Sequence, residues 1–443
     1  MVRPLVSCVA DRAIVKGINM KQSLLIGIFT LLIFLNLNFG QDYFNTRNLP
    51  TPDCSGKTSI WNEFNKNKTI LLVIPDNPSD LTEFTRMLSY VKASYADSLI
   101  KKESELTDDD FKKALEIYGT TKDFLNWDKF GLPFKKVPNG FLFNDQEYID
   151  NSDGFFFISK DRMVYSGNSL EPIWKQQTTM SSYYKYIIFK DGLLDKLCIS
   201  DSVIIDAAKI RESNYNKSST KYYNLFIDKK LNDIYLTDSI VIDICDKLKL
   251  DLPDFKINAF LHYDPNAARL FSNFYFMTGC DTLEPSMKFG TVQIDGIHTT
   301  GDDIGFVKHE TFHYLWDKLI GHNPNGNEFL NEGIQKYYEF LKDTSVLNYS
   351  IKIQLKHFDY DITNLIMKGD GGTFWNAPTE NNYPIAYELS GLFVKYLIDN
   401  WGLDKFKKLF VKKDLVKAYK ELYNLQDTEV IKSYNDWITK YKQ

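Results

Sequence analysis

The sequence predicts an α+β fold for its C-terminal half, with an α/β domain placed before it. Three observations carry that expectation. Short apolar runs alternate with helical spacing up to about residue 200. A few strand-like runs follow between residues 222 and 297. From Asp303 onward the apolar spacing is helical almost to the C-terminus. A small sheet followed by a helical bundle is the α+β pattern.

The elements follow in order. Residues 69–74 form a continuous apolar run before Pro75-Asp76-Asn77-Pro78 and read as a buried strand with a turn. Helical spacing is expected at about 79–104 and 108–116, and strands at 140–143, 154–159 and 186–189. In the second half, residues 222–227 read as a strand and 236–248 as a helix opened by Thr237 and Asp238. Residues 255–263 and 290–297 read as two further strands. No GxGxxG or GxxxxGK[ST] occurs, so no nucleotide is assigned to the first domain and its role stays open.

The N-terminus is expected to be removed. Residues 23–39 are almost wholly apolar and follow Met20-Lys21, as in a secretory signal, while residues 1–19 read as an upstream extension. The alternative is an uncleaved anchor, and the run of about 17 residues is marginal for crossing a bilayer. The chain then divides into a leader at 1–40, an α/β domain at 41–205 and a second domain at 206–443. A secreted or periplasmic location is expected, with a membrane as partner only if the leader stays. Its 443 residues suffice for two or three such units.

Charge narrows the partners. The formal net charge of −5 lacks the basic excess of a phosphate-backbone binder, so no nucleic-acid partner is expected. The Lys-rich stretch 405–420 reads as the wet side of amphipathic helices. Beyond Cys8 in the leader, Cys54, Cys198, Cys245 and Cys280 allow two disulfides in any of three connectivities, and none forms a CxxC zinc pair. Asn67, Asn216 and Asn348 head glycan-acceptor tripeptides if the chain enters a eukaryotic secretory route.

The chemistry lies at His309-Glu310-Thr311-Phe312-His313. Residues i and i+4 of a helix share a face about one turn apart. Two imidazoles so placed can hold one Zn2+ at about 2.0–2.1 Å. Glu310, beside the first ligand, can reach the ion's water. Residues 323–327 form a turn cluster, and a second helix is expected from about Glu328. It carries Glu332, separated from His313 by residues 314–331. A carboxylate there can complete a His2Glu set and leave the fourth position to water.

HExxH, 18 intervening residues and Asn331-Glu332-Gly333 together resemble the gluzincin metallopeptidases, particularly the M1 aminopeptidases. Tyr337 and Glu339 continue the likeness, as does the block Tyr387-Glu388-Leu389-Ser390-Gly391 with Tyr396-Leu397 and Trp401-Gly402. The resemblance covers roughly residues 220–443. It implies a thermolysin-like catalytic domain, one zinc ion on His309, His313 and Glu332, and Glu310 as general base. It also implies Tyr387 as donor to the oxyanion, with Tyr383 as the alternative. The implied substrate is a peptide or protein.

The family's Gly-x-Met-Glu-Asn strand, whose Glu holds the substrate amine, has no match in residues 283–296. Asp295 and Glu284 are the nearest acids there, and neither fits. Aminopeptidase specificity is therefore not implied. His262, His298, His322 and His357 belong to no motif and are expected in packing or surface roles. Two rival readings stand: a non-catalytic zinc-containing binding module, and a zinc hydrolase acting on another bond.

Overall fold

A computed structural model describes residues 60–442, apart from 93–94, 174–183, 201, 232–233, 235, 273–282, 284–286, 294, 302, 322–326, 368–370, 382 and 413. The leader, Cys54, Cys280, Glu284, His322 and most of the 323–327 turn cluster lie outside the described residues. The architecture is α+β.

After helix α1 (Ile60–Asn65), one mixed eight-stranded sheet dominates the first part. Its strands are β1 (Ile70–Ile74), β2 (Ile100–Lys102), β3 (Ala114–Tyr118), β7 (Gly154–Ile158), β8 (Arg162–Gly167), β9 (Tyr186–Lys190), β10 (Leu193–Ser200) and β11 (Val203–Asp206). The order is β11-β10-β9-β7-β8-β3-β1-β2. Neighbours from β8 to β2 run parallel, and those from β11 to β8 antiparallel. A small antiparallel sheet, β4 (Lys135–Val137), β5 (Gly140–Phe143) and β6 (Gln146–Tyr148), packs beside it through Phe134, Phe141 and Tyr148.

Two sequence expectations fail here. Helix α2 spans only Leu81–Lys92, and β2 lies inside the stretch expected to be helical to about 104. Residues 108–116 end in strand β3 rather than a helix. Every residue of β3 is buried, so its five-residue run Ala-Leu-Glu-Ile-Tyr fills an interior parallel strand despite helix-compatible spacing. Its Glu116 is hydrogen-bonded by the Tyr95 hydroxyl, which makes the acid tolerable inside.

Helix α3 (Ala207–Asn214) leads into a second sheet with order β12-β13-β14-β16-β15. These strands are β12 (Tyr215–Ser219), β13 (Tyr223–Asp228), β14 (Ile257–His262), β15 (Gly290–Gln293) and β16 (Gly296–Thr300). Helix α4 (Ser239–Leu248) precedes β14, and α5 (Pro265–Ser272) follows it. The single strand expected at 290–297 is an antiparallel pair, β15 and β16, with Gly296 at φ 147° where the chain reverses. Asp295 therefore sits in the turn, not on a strand.

Alternation divides this sheet's side chains between two cores. Leu225, Ala259 and Ile297 face the helices, while Phe226 and Phe260 pack with Tyr165, Ile187 and Leu194 of the first sheet. Buried Cys198 and Cys245 lie in different cores and are not bonded to each other.

Helices fill the rest: α6 (Ile304–Ile320), α7 (Glu328–Lys342), α8 (Thr344–Lys356), α9 (Thr363–Met367), α10 (Gly371–Trp375), α11 (Ala386–Trp401), α12 (Leu403–Phe410), α13 (Leu415–Tyr423) and α14 (Asp427–Thr439). A two-residue hairpin, β17 (Thr379–Glu380) and β18 (Tyr383–Pro384), interrupts them. Among the described residues no helix is long and apolar enough to cross a membrane.

Candidate metal centre

Two capped helices bring the site together. Asp303 caps α6 by accepting from Gly305 N at 2.8 Å, and Asn327 caps α7 by accepting from Leu330 N at 2.8 Å. The buried face of α6 carries Val307, Thr311, Phe312, Leu315 and Trp316, which fixes the helix against the large core. Tyr223 of β13 adds a hydroxyl contact to Thr311, 3.1 Å between oxygens. His309 and His313 emerge on one side, their ring centroids 4.6 Å apart.

Glu332 of α7 meets both rings. The two Nε2 atoms are 3.0 Å apart, and Glu332 Oε2 lies 3.4 Å from His309 Nε2 and 3.5 Å from His313 Nε2. Donors about 2.0–2.1 Å from an ion at tetrahedral angles stand about 3.3–3.4 Å from one another. The three atoms thus outline one face of such a tetrahedron. Glu332 Oε2 is buried and, among the described residues, accepts no hydrogen bond of good geometry. A buried charged oxygen left so is costly, and a cation among the three atoms would satisfy it. Two neutral imidazoles and a carboxylate suit a divalent ion such as zinc. His309 keeps 17% of its side chain exposed and marks the open side, while His313 and Glu332 are closed off.

Charge agrees with this geometry. Burial alone would push the Glu332 carboxyl up, but the His313 and His309 rings beside it hold it down at about 2. Burial would likewise push His309 down. Glu332, with help from Glu310 and Glu339, instead lifts it to about 9. Glu332 and His309 thus each favour the charged form of the other.

Glu310 is almost fully buried on the same helix. Its side chain lies across Gly290, the first residue of edge strand β15. Glutamate atoms occupy the space where a side chain at 290 would begin.

Tyr387 stands in the first turn of α11, half-buried, with its ring packed edge-on to Phe374 (5.0 Å) and Trp375 (5.6 Å). Gly371, on the same short helix as those two rings, lies against Glu328 of α7. Tyr383 is exposed on β18.

Sequence reasoning missed the glycines that bring α7 and α11 close. A methyl group at Gly333 would sit 2.7 Å from the Ser390 carbonyl oxygen, and one at Gly391 would sit 2.6 Å from Lys336 Cγ. Gly333 adjoins Glu332, so this crossing helps fix the carboxylate. Lys336 ties the two helices through Glu388 of α11 (3.1 Å) and also pairs with Glu339 on its own helix (3.2 Å). The signal was Gly in both motif blocks, which small-residue helix contacts explain once the pairing is known.

The remaining histidines divide. Buried His262 and His298 form a chain with Tyr215 and Asp295, separate from the triad. His357 pairs with Glu380 at 3.4 Å. A second acidic group, Asp150, Asp153 and Asp191, has Asp150 and Asp153 oxygens already accepting from backbone N–H groups. The chain shows no significant match to any family model, curated protein or solved structure.

Proposed function

We propose that this protein is an exported, zinc-dependent metallopeptidase with a gluzincin-like, thermolysin-like catalytic domain. The observation that carries the reading is the triangle of His309 Nε2, His313 Nε2 and Glu332 Oε2, with sides of 3.0, 3.4 and 3.5 Å. A buried glutamate, Glu310, next to one of the ligands adds to it.

Zinc bound there would act as a Lewis acid and make water a nucleophile near neutral pH. His309, His313 and Glu332 would hold the ion. The Glu310 carboxylate takes a proton from the attacking water and gives it to the leaving amine nitrogen as the C–N bond breaks. The Tyr387 hydroxyl donates a hydrogen bond to the oxyanion of the tetrahedral carbon. The peptide or protein substrate enters from the His309 side. A structural zinc site needs no general base, so the buried Glu310 favours catalysis over a binding module.

Glu310→Gln is the deciding variant. It should keep one zinc per chain and lose about 10²–10⁴-fold in kcat on a broad peptide library. Equal silence of wild type and variant on that library, both zinc-loaded, would count against peptide hydrolysis and leave another bond or a binding role.

A further inference from the structure

The Glu310 side chain is held by an absence. Gly290 opens β15, whose one sheet partner among the described strands is β16. On this strand position 290 shares a face with Val292, which packs into the helical core where α6 lies. An ideal Cβ at 290 would fall 2.7 Å from Glu310 Oε1, 2.9 Å from its Cγ and 3.1 Å from its Cδ. Real side chains do not approach so closely, so the outer half of Glu310 would have to swing away. Gly290 is thus a slot shaped to the glutamate. Its φ lies outside the left-handed range, so the backbone does not demand glycine here. The space does.

We infer that Gly290 is a positioning residue for Glu310: its missing side chain lets the carboxylate lie flat on the edge strand, in one orientation beside the metal ligands. The inference rests on Glu310 being the general base. The atoms in the way are Cγ, Cδ and Oε1 of one side chain rather than backbone, so alanine costs a modest amount of stability. It costs much more in reactivity, because a base displaced by about 1 Å loses up to about 100-fold.

The test is a double-mutant cycle on the full zinc-loaded chain, with thermal melts of the zinc-stripped protein as a second readout. Gly290→Ala should keep one zinc per chain and its KM, and lose on the order of 10–100-fold in kcat. It should also lower Tm by about 2–4 °C. In a Glu310→Ala background, where the slot is vacant, the same change should leave Tm unmoved, because only contacting residues couple. Wild-type kcat in Gly290→Ala, or an equal Tm drop in both backgrounds, overturns the inference. If Gly290→Ala fails to fold, recovery of folding in the Glu310→Ala background supports the slot, and failure in both overturns it. Full activity in Glu310→Ala would instead sink the general-base reading, while the Tm cycle still reports on the contact.

Discussion

Two histidine pairs in this protein each keep company with one acid, and they differ in shape. At His309, His313 and Glu332 the three atoms close into a triangle. At Tyr215, His262, His298 and Asp295 they open into a line. Tyr215 Oη is 2.6 Å from His262 Nδ1, His262 Nε2 is 3.0 Å from His298 Nδ1, and His298 Nε2 is 2.8 Å from Asp295 Oδ1. Both groups place imidazole nitrogens 3.0 Å apart. In the line every ring nitrogen has a partner. Leu194 N adds a 3.4 Å contact from the first sheet, and Phe260 stacks on His298 at 4.5 Å. No ring nitrogen is left to offer an ion. In the triangle Glu332 Oε2 and His313 Nδ1 have no hydrogen-bond partner among the described residues, and the three facing atoms stand 3.0, 3.4 and 3.5 Å apart. Two histidines and a carboxylate therefore do not outline a candidate metal site unless they converge.

Breaking the triangle should have the largest effect. Glu332→Ala or His313→Ala should leave no stoichiometric zinc after dialysis, read by elemental analysis, with hydrolysis lost. Asp295→Ala should retain one zinc per chain. Zinc loss from the latter would mean that the line, too, serves the ion.

Next in size is pH. Without an ion, Glu332 and its neighbours push His309 up to about 9 from its ordinary 6.5, so a zinc ion binding there would displace a proton at neutral pH. Calorimetry in buffers of different ionisation enthalpy should show about one proton released near pH 7 and almost none above about 10. Affinity should rise close to tenfold per pH unit up to about 9 and then flatten. The same proton stabilises the zinc-free fold. That contribution is complete below about 6.5 and disappears as pH climbs through about 9, so the zinc-free Tm should fall over that interval. His262 behaves oppositely: full burial, with His298 adding to it, holds it well below the usual range. Its ring signals in an NMR titration should stay those of a neutral imidazole while His309 titrates.

A smaller effect tests the line alone. Asp295→Ala strands a buried His298 nitrogen and should cost about 1–3 kcal/mol in denaturant unfolding. The smallest is Tyr223→Phe. It removes one hydroxyl contact to Thr311, on the side of α6 away from His309 and His313, and should cost about 1 kcal/mol or less with zinc content unchanged.

Much of the triangle was legible beforehand. His309 and His313 are local, and helix periodicity alone puts them on one face. Glu332 was legible through its own helix and the turn before it. Gly290 was not, because its meaning depends on an edge strand 20 positions upstream of Glu310 that only tertiary packing lays beside it. The line was missed for the same reason. His262 and His298 sit on neighbouring parallel strands, and sequence spacing carries no trace of that register. The error at β3 has a related cause: burial from both faces removes the alternation that marks a strand.

By itself, then, the sequence determined the α+β class, the apolar runs of β1 and β7, and the helical spacing that pairs His309 with His313. Those are short-range properties, set by side-chain periodicity and backbone capping. The tertiary structure decided which acid closes a triangle and which ends a line, and which glycine makes room for Glu310. Those outcomes depend on strand order and helix crossing, and such long-range packing brings together atoms that no local pattern links.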